Sequence, residues 1–331
     1  MKHIVAVVIP CYKVKSFVLP VIDKIINELD VVKYIIAVDD KCPENSGDYI
    51  NKYYNQNKHV YMIHNSVNKG VGGAVITGYE KAIVLGATIV VKIDGDGQMD
   101  PADIPDLIEP ILIGLADYTK GNRFYSFYSV QQMPKVRLIG NTGLSFFTKL
   151  ASGYWKIFDP TNGFTAIHIS VLKKLELQNL SKRFFFETDM LIHLGDLRAV
   201  VVDVSMNALY GKEKSNLKIT KEFKHFFWGN MKAFIRRIFY FYYMRDFNFA
   251  SVELFFGIIL TIFGISFGSY HWFKSIFYNQ LASTGTVMLA TLPIILGFQL
   301  LLGFINYDVS NEPKIPLQKL YKENKRITKH L

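Results

Sequence analysis

Short, continuous apolar runs punctuate the first 120 residues, and each ends in a polar or glycine-containing turn. Runs of this length, rich in Val and Ile and without alternation, read as strands buried on both faces. They fall at residues 4–9, 34–38, 60–63 and 88–93. Between them, residues 17–29, 48–56 and 71–85 repeat apolar positions at helical spacing. Strand and helix in alternation predict a mostly parallel α/β sheet with helices on both faces. Pro101 then opens a helix over 102–114. A strand at 118–120, a helix over 136–152 and a strand at 165–169 follow, then a helix capped by Ser170 and a strand at 199–204. Residues 126–133 are polar and aromatic without helical period, which predicts a mobile loop.

The pattern changes after residue 210. Residues 217–248 interleave Lys and Arg with Phe, Tyr and Trp, as helices lying in a lipid headgroup layer do. A break near Gly229 is expected to divide them into two interfacial helices. A calmodulin-like partner would favour the same pattern, but the adjoining apolar segments favour lipid. Residues 254–273 carry no charge, and neither do residues 275–307. Twenty helical residues rise about 30 Å, the thickness of a bilayer core. Phe255, Phe256, Trp272, Phe273, Phe304 and Tyr307 suit its interfaces. The expected organisation is a catalytic domain at 1–210, amphipathic juxtamembrane helices at 211–249, a two-helix transmembrane hairpin at 250–307 and a basic tail at 308–331.

The formal charge of +10 does not point to nucleic acid, because the basic residues gather beside the spans. Lys232, Arg236, Arg237 and Arg245 precede the hairpin, Lys314, Lys319 and Lys322 follow it, and only Lys274 lies in the loop between. Positive residues stay on the cytoplasmic side, which predicts a multi-pass protein of the cell (inner) membrane with the catalytic domain and carboxyl terminus in the cytoplasm. Met1-Lys2-His3 runs directly into the apolar stretch 4–9, which is too short for a signal core and lacks a cleavage pattern, so no cleavable signal is expected there. Cys11 and Cys42 are then expected as free thiols.

Ligands of open parallel sheets bind at the carboxyl ends of the strands. That rule selects Pro10-Cys11-Tyr12, Asp39-Asp40, the loop 65–70 and Asp94-Gly95-Asp96-Gly97-Gln98. The last of these converges hard oxygen donors, as a divalent metal and a phosphate require. A surface turn would use the same residue types. A calcium loop is excluded, since its twelfth position is Pro105 rather than Glu. Asn68-Lys69-Gly70-Val71-Gly72-Gly73-Ala74 enters a helix, where free N–H groups attract a phosphate or glycine permits close packing. Val75 breaks the dinucleotide fingerprint, and no Walker motif occurs.

Taken in order, Pro10-Cys11-Tyr12, Val38-Asp39-Asp40, Asn68-Lys69-Gly70, Asp94-Gly95-Asp96-Gly97-Gln98 and Asn162-Gly163-Phe164 resemble family 2 glycosyltransferases. The resemblance is to the polyprenyl-phosphate subgroup, such as dolichol phosphate mannose synthase and bacterial undecaprenyl-phosphate glucosyltransferases. It implies a GT-A fold and inverting transfer of a hexose from UDP-glucose, another UDP-sugar or GDP-mannose to polyprenyl (undecaprenyl) phosphate. Asp39 and Asp40 would then meet the nucleotide, with Pro10, Tyr12, Asn68, Lys69, Gly70 and Asp94 completing the donor pocket. Asp94, Asp96 and Gln98 would surround Mg²⁺ or Mn²⁺, Arg123 and Arg137 would hold the acceptor phosphate, and Asp159 would act as base or orient the acceptor. Glu187 and Asp189 are the rival acidic pair, ranked below Asp159; they equally suit a helix dipole. His193 reads as a packed polar side chain, and His64 as lining the donor loop. The Gln-x-x-Arg-Trp signature of processive synthases is absent. A non-catalytic membrane scaffold that binds sugar nucleotides and a glycosyltransferase acting on another lipid or glycan acceptor are the remaining alternatives, and self-association is left open.

Overall fold

A computed structural model describes residues 3–125, 135–206 and 219–320; for residues 135–137, 139 and 219–223 it describes the backbone alone. Contacts divide the chain into two units, one running to Ala233 and rejoined from Pro313, the other Phe234 to Glu312.

The first unit is built on seven strands. These are β1 (Val5–Cys11), β2 (Val32–Asp39), β3 (Val60–His64), β4 (Ile89–Lys92), β5 (Tyr118–Asn122), β6 (Thr165–His168) and β7 (Val201–Ser205), in the spatial order β3-β2-β1-β4-β6-β5-β7. β1 pairs in parallel with both β2 and β4, and β2 with β3. β6 runs antiparallel to β4 and β5, while β5 and β7 are parallel. The sheet is thus mixed and mostly parallel, as expected.

Successive side chains of a strand point to opposite faces, and both faces are covered. Val5, Val7, Ile9, Ile35, Val91 and Ala37 pack with Val18, Ile22 and Ile25 of α1 (Val18–Glu28) and Ile104, Leu107 and Ile111 of α4 (Ile104–Leu112). Ala6, Val8, Ile36, Val38 and Val90 pack the other way, against Val75 and Tyr79 of α3 (Val71–Val84) and Met190 and Leu194 of a later helix, Phe186–Leu197. Two-sided burial is the reason the strands read as unbroken apolar runs. Helix α2 (Ser46–Tyr54) lies between β2 and β3, α5 (Lys135–Ser152) follows β5, and α6 is the turn-length helix Ile169–Leu172. Phe186–Leu197 is α7.

Two expected details differ. The cap of α6 is His168, whose Nδ1 accepts from Ser170 N–H at 3.2 Å; Ser170 sits inside the first turn. Helix α8 (Ile219–Phe239) continues through Gly229. A Cβ at Gly229 would stand 2.8 Å from Phe185 Cζ, so the missing side chain admits an aromatic ring and does not break the helix. Phe185 and Phe226 meet there edge to face at 5.3 Å. The mobile-loop expectation for 126–133 lies outside the described residues. Of the chain past the hairpin, Leu317 and Gln318 N–H donate to Asp117 at 2.8 and 2.9 Å, and Gln318 Nε2 donates to Ile111 O at 3.0 Å.

The second unit holds α9 (Phe249–Tyr278) and α10 (Thr284–Ser310), each long and apolar enough to cross a membrane. Asn248 and Ser251 form a reciprocal capping box at the start of α9, and Ser283 caps α10. The helices pack through small residues: a Cβ at Gly264 would lie 2.6 Å from Ile294 Cγ1, and one at Gly297 2.5 Å from Thr261 Oγ1. Close backbone approach of this kind is how helices associate where lipid supplies no hydrophobic drive. At the end of α10, Asp308 accepts two bonds from Arg237, at 2.7 and 2.9 Å, and one from Tyr242 Oη.

Candidate active site

Strand β4 is apolar until Lys92, and the chain then turns through Asp94 to Gln98. Asp96 Oδ1 accepts the Gln98 N–H at 3.0 Å, closing the turn, and Asp94 and Asp96 are both part-exposed. Asp100 caps the following turn by accepting from Ala102 N–H at 2.9 Å, and Lys24 of α1 anchors it at 2.7 Å.

Lys92 itself is 1% exposed. Its Nζ lies 2.8 Å from Asp94 Oδ1 and 2.9 Å from Glu187 Oε1 at the start of α7. Burial works against the ammonium, but the two carboxylates more than offset it, and the pKa stands above the ordinary lysine value. The Asn162-Gly163 turn closes over this pair: a Cβ at Gly163 would stand 2.3 Å from Lys92 Nζ and 2.5 Å from Asp94 Oδ2. Register explains the convergence, since Lys92 and Lys120 both pair with Thr165 across β6. Lys120 is fully buried and donates to Asn162 O. Burial pushes its pKa down to about 8, only partly countered by Asp159 and Glu187.

Beyond Lys120, Arg123 and Asp159 meet. Arg123 Nε and Nη2 donate to Asp159 Oδ2 and Oδ1 at 2.7 and 2.9 Å, a bidentate pair in which Asp159 is wholly buried. The two residues expected to serve acceptor and chemistry therefore engage each other. Next to them Asn122 Nδ2 donates to Asp203 Oδ2 at 2.7 Å. Burial raises the Asp203 pKa to about 6, and its Oδ1 has no hydrogen-bond partner among the described residues. Arg137 lies on α5, and its side chain is outside the described residues.

The donor loops are tied inward. Asp39 accepts from Cys42 N–H at 2.7 Å and from Gly47 N–H at 2.8 Å, with His64 Nδ1 at 3.8 Å. Asp40 accepts from Asn65 Nδ2 and Lys69 N–H, both at 2.9 Å, and from Gly70 N–H at 2.6 Å. Gly73 N–H donates to Lys182 O at 3.0 Å. The Lys69, Gly70 and Gly73 donors of the glycine-rich turn thus face protein acceptors. The glycines there also serve close packing, since a Cβ at Gly72 would stand 2.4 Å from Ser181 O and one at Gly70 2.5 Å from Lys182 O. Pro10 is half-buried and Tyr12 exposed at the end of β1. Asp189 accepts from Ser181 N–H at 2.7 Å and pairs with His193 at 3.5 Å. Burial opposes ionisation of Asp189, but those partners prevail and its pKa is lowered.

A family model described as "Glycosyl transferase family 2" matches residues 6–176, more than half of the chain. The chain belongs to glycosyl transferase family 2. It is 38% identical over 151 residues to the UDP-N-acetylglucosamine–dolichyl-phosphate N-acetylglucosaminyltransferase of Methanococcus voltae, covering 46% of this chain and 60% of that relative. It is 26% identical to the undecaprenyl-phosphate mannosyltransferase of Micrococcus luteus, over 51% of this chain and 69% of the relative. Among solved structures, the glucosyl-3-phosphoglycerate synthase of Mycobacterium tuberculosis, crystallised with Mn²⁺, UDP and phosphoglyceric acid, matches with a TM-score of 0.54 at 16% identity. The match covers 71% of this chain and 78% of that one, and shows that the fold is shared.

For a family 2 member the donor set of the β4 turn is hard oxygen throughout, and among the described residues no cluster of three or more His, Cys, Asp or Glu occurs. Such an all-oxygen set lacks the thiolate and imidazole ligands of structural zinc sites. It fits Mg²⁺ or Mn²⁺, which accept one or two carboxylates and take remaining ligands from substrate phosphates. Reading the sequence for motifs missed Lys92 and Lys120. A usable signal existed: each is a lone lysine placed on a strand whose neighbours are buried, and a buried ammonium needs partners.

Proposed function

We propose that this family 2 protein transfers a hexose, with inversion, from a nucleotide sugar to polyprenyl phosphate, yielding a polyprenyl-phosphate sugar for cell-envelope glycan or glycoconjugate assembly. The supporting observation is the convergence of the Asp94-to-Gln98 turn, the Asn162-Gly163 turn and the Arg123–Asp159 pair at adjoining strand ends. Relatives named for lipid-phosphate acceptors and two helices apolar enough to cross a membrane favour a lipid acceptor. UDP-glucose, a related UDP-sugar and GDP-mannose are the candidate donors. The proposed location is the cell membrane, with the catalytic domain and the carboxyl terminus cytoplasmic, because basic residues flank the hairpin.

In this reading an acceptor phosphate oxygen attacks the anomeric carbon. The bond from that carbon to the nucleoside diphosphate breaks as the new C–O bond forms on the opposite face. Asp94, Asp96 and Gln98 would hold Mg²⁺ or Mn²⁺, which when bound offsets charge on the departing diphosphate. Arg123 and Arg137 bind and aim the acceptor phosphate, whose guanidinium partners can grip it through parallel bonds. Asp159 holds the plane of Arg123. A phosphate monoester at pH 7 already carries nearly two charges, so no protein base need take a proton. Asp39 and Asp40 act on the donor through the loops they fasten, and Pro10 and Tyr12 wall the nucleotide.

The test incubates the full-length protein in detergent with undecaprenyl phosphate, Mg²⁺ or Mn²⁺ and a panel of radiolabelled nucleotide sugars, then extracts lipid. Label from one donor should enter the organic phase, and Asp96→Asn should abolish it. Binding of nucleotide sugar with no transfer from any donor would favour a non-catalytic scaffold.

A further inference from the structure

Lys92 is a deeply enclosed charge that the proposed reaction does not use. It sits at the last position of β4, two residues before Asp94, with Tyr79 and Tyr118 also fully buried on the helix and strand around it. Its ammonium spans 2.8 Å to Asp94 and 2.9 Å to Glu187, two carboxylates 93 positions apart in sequence. Asn162-Gly163 seals it, since a Cβ at Gly163 would collide with both Lys92 Nζ and Asp94 Oδ2. A solvated lysine could swing away; this one has no room to do so.

Such a bracket has an electrostatic consequence. One of Asp94's oxygens faces a fixed positive charge, so that carboxylate presents less negative charge to a divalent cation than an open aspartate would. Glu187 draws on the same ammonium and moderates the effect. We propose that Lys92 is a positioning residue that pins the Asp94 carboxylate and discounts its charge, making the turn a poor site for a bare divalent cation and a good one for a cation that arrives with a nucleoside diphosphate. Glu187 is then the counter-charge that sets the discount. It is held by Lys92 and is not a proton acceptor. The inference rests on the reading of Asp94 and Asp96 as cation ligands.

Its test measures Mn²⁺ binding, without turnover, by electron paramagnetic resonance of the full-length protein in detergent. Titrations are run with Mn²⁺ alone and with Mn²⁺ plus UDP or GDP. Removing the ammonium by Lys92→Met should tighten binding of bare Mn²⁺ by about tenfold or more, because a unit charge a few ångströms away is a large effect in a partly buried site. Glu187→Gln should shift it the other way, since all of the lysine's charge then falls on Asp94. In wild type, UDP or GDP should raise Mn²⁺ affinity, and the gain should shrink in Lys92→Met. Lys92→Met leaves Glu187 buried without a partner and can fail to fold; Lys92→Met/Glu187→Gln removes both charges and should also bind bare Mn²⁺ more tightly than wild type. A purely structural lysine would weaken bare Mn²⁺ binding in every variant or leave it unchanged, and either result overturns the inference. Asp96→Asn separates the two layers: if wild type and Asp96→Asn bind Mn²⁺ with nucleotide equally, the assignment of the cation site itself is wrong.

Discussion

Asp40→Asn distinguishes a residue that touches nucleotide from one that builds the loop beside it. The Asp40 carboxylate accepts three bonds, from Asn65 Nδ2, Lys69 N–H and Gly70 N–H, the last at 2.6 Å. Asparagine keeps one oxygen, which can retain the Asn65 and Lys69 donors; its amide then meets Gly70 N–H donor to donor. A lost hydrogen bond to a charged acceptor costs about 1.5–3 kcal/mol, and orphaning the part-buried Gly70 donor adds about 1 kcal/mol. The expected loss is thus about 2–4 kcal/mol. For a domain of this size each kcal/mol moves Tm by about 2–4 °C, so the variant should melt about 5–15 °C below wild type. Thermal unfolding of the full chain in detergent, followed by Trp155 and Trp228 fluorescence, reads this directly. An unchanged Tm with abolished nucleotide binding would refute the reasoning and return Asp40 to direct contact with ligand.

Gly72→Ala should cost about 1–3 kcal/mol by overpacking, because its Cβ meets the backbone oxygen of Ser181 at 2.4 Å; chemical denaturation of the same preparation measures it. Arg123→Met leaves Asp159 buried without its bidentate partner and should destabilise by about 3–5 kcal/mol, whereas Arg123→Met/Asp159→Leu should recover most of that loss; two equal losses that simply add would show the pair to be uncoupled. Asp203 carries a folded-state pKa of about 6 against about 4 when unfolded. Between those values the native state binds more protons, so its contribution to stability falls as pH rises from about 4 to about 6 and is flat above. Asp203→Asn should remove that slope, and a variant whose stability follows pH as wild type does would contradict the assigned shift.

Much of the catalytic fold was readable because two-sided burial writes strands as plain apolar runs, and β1 to β4 fell where those runs lie. The Asp94-to-Gln98 turn was equally visible, since it sets hard oxygen donors beside glycine at the end of a buried strand. What escaped was tertiary. The antiparallel insertion of β6 is not written in Thr165–His168, yet it alone sets Lys92, Thr165 and Lys120 side by side. The glycines at 70 and 72 announced close approach of backbone; which partner approached, a phosphate or the carbonyls of Ser181 and Lys182, depends on a segment more than a hundred residues away. Gly229 misled for the same reason, because a helix tolerates glycine where an aromatic ring needs its space. Asp159 and Arg123 were both selected as functional, but nothing local in sequence reveals that they grip each other.

The most direct measurement is transfer of labelled sugar from a nucleotide donor into undecaprenyl-phosphate lipid by the purified full-length protein, wild type beside Asp96→Asn. The account predicts a labelled, extractable glycolipid with wild type in the presence of Mg²⁺ or Mn²⁺, and none above background with the variant. Equal transfer by the two proteins, or no transfer by wild type from any UDP- or GDP-linked sugar, would contradict it.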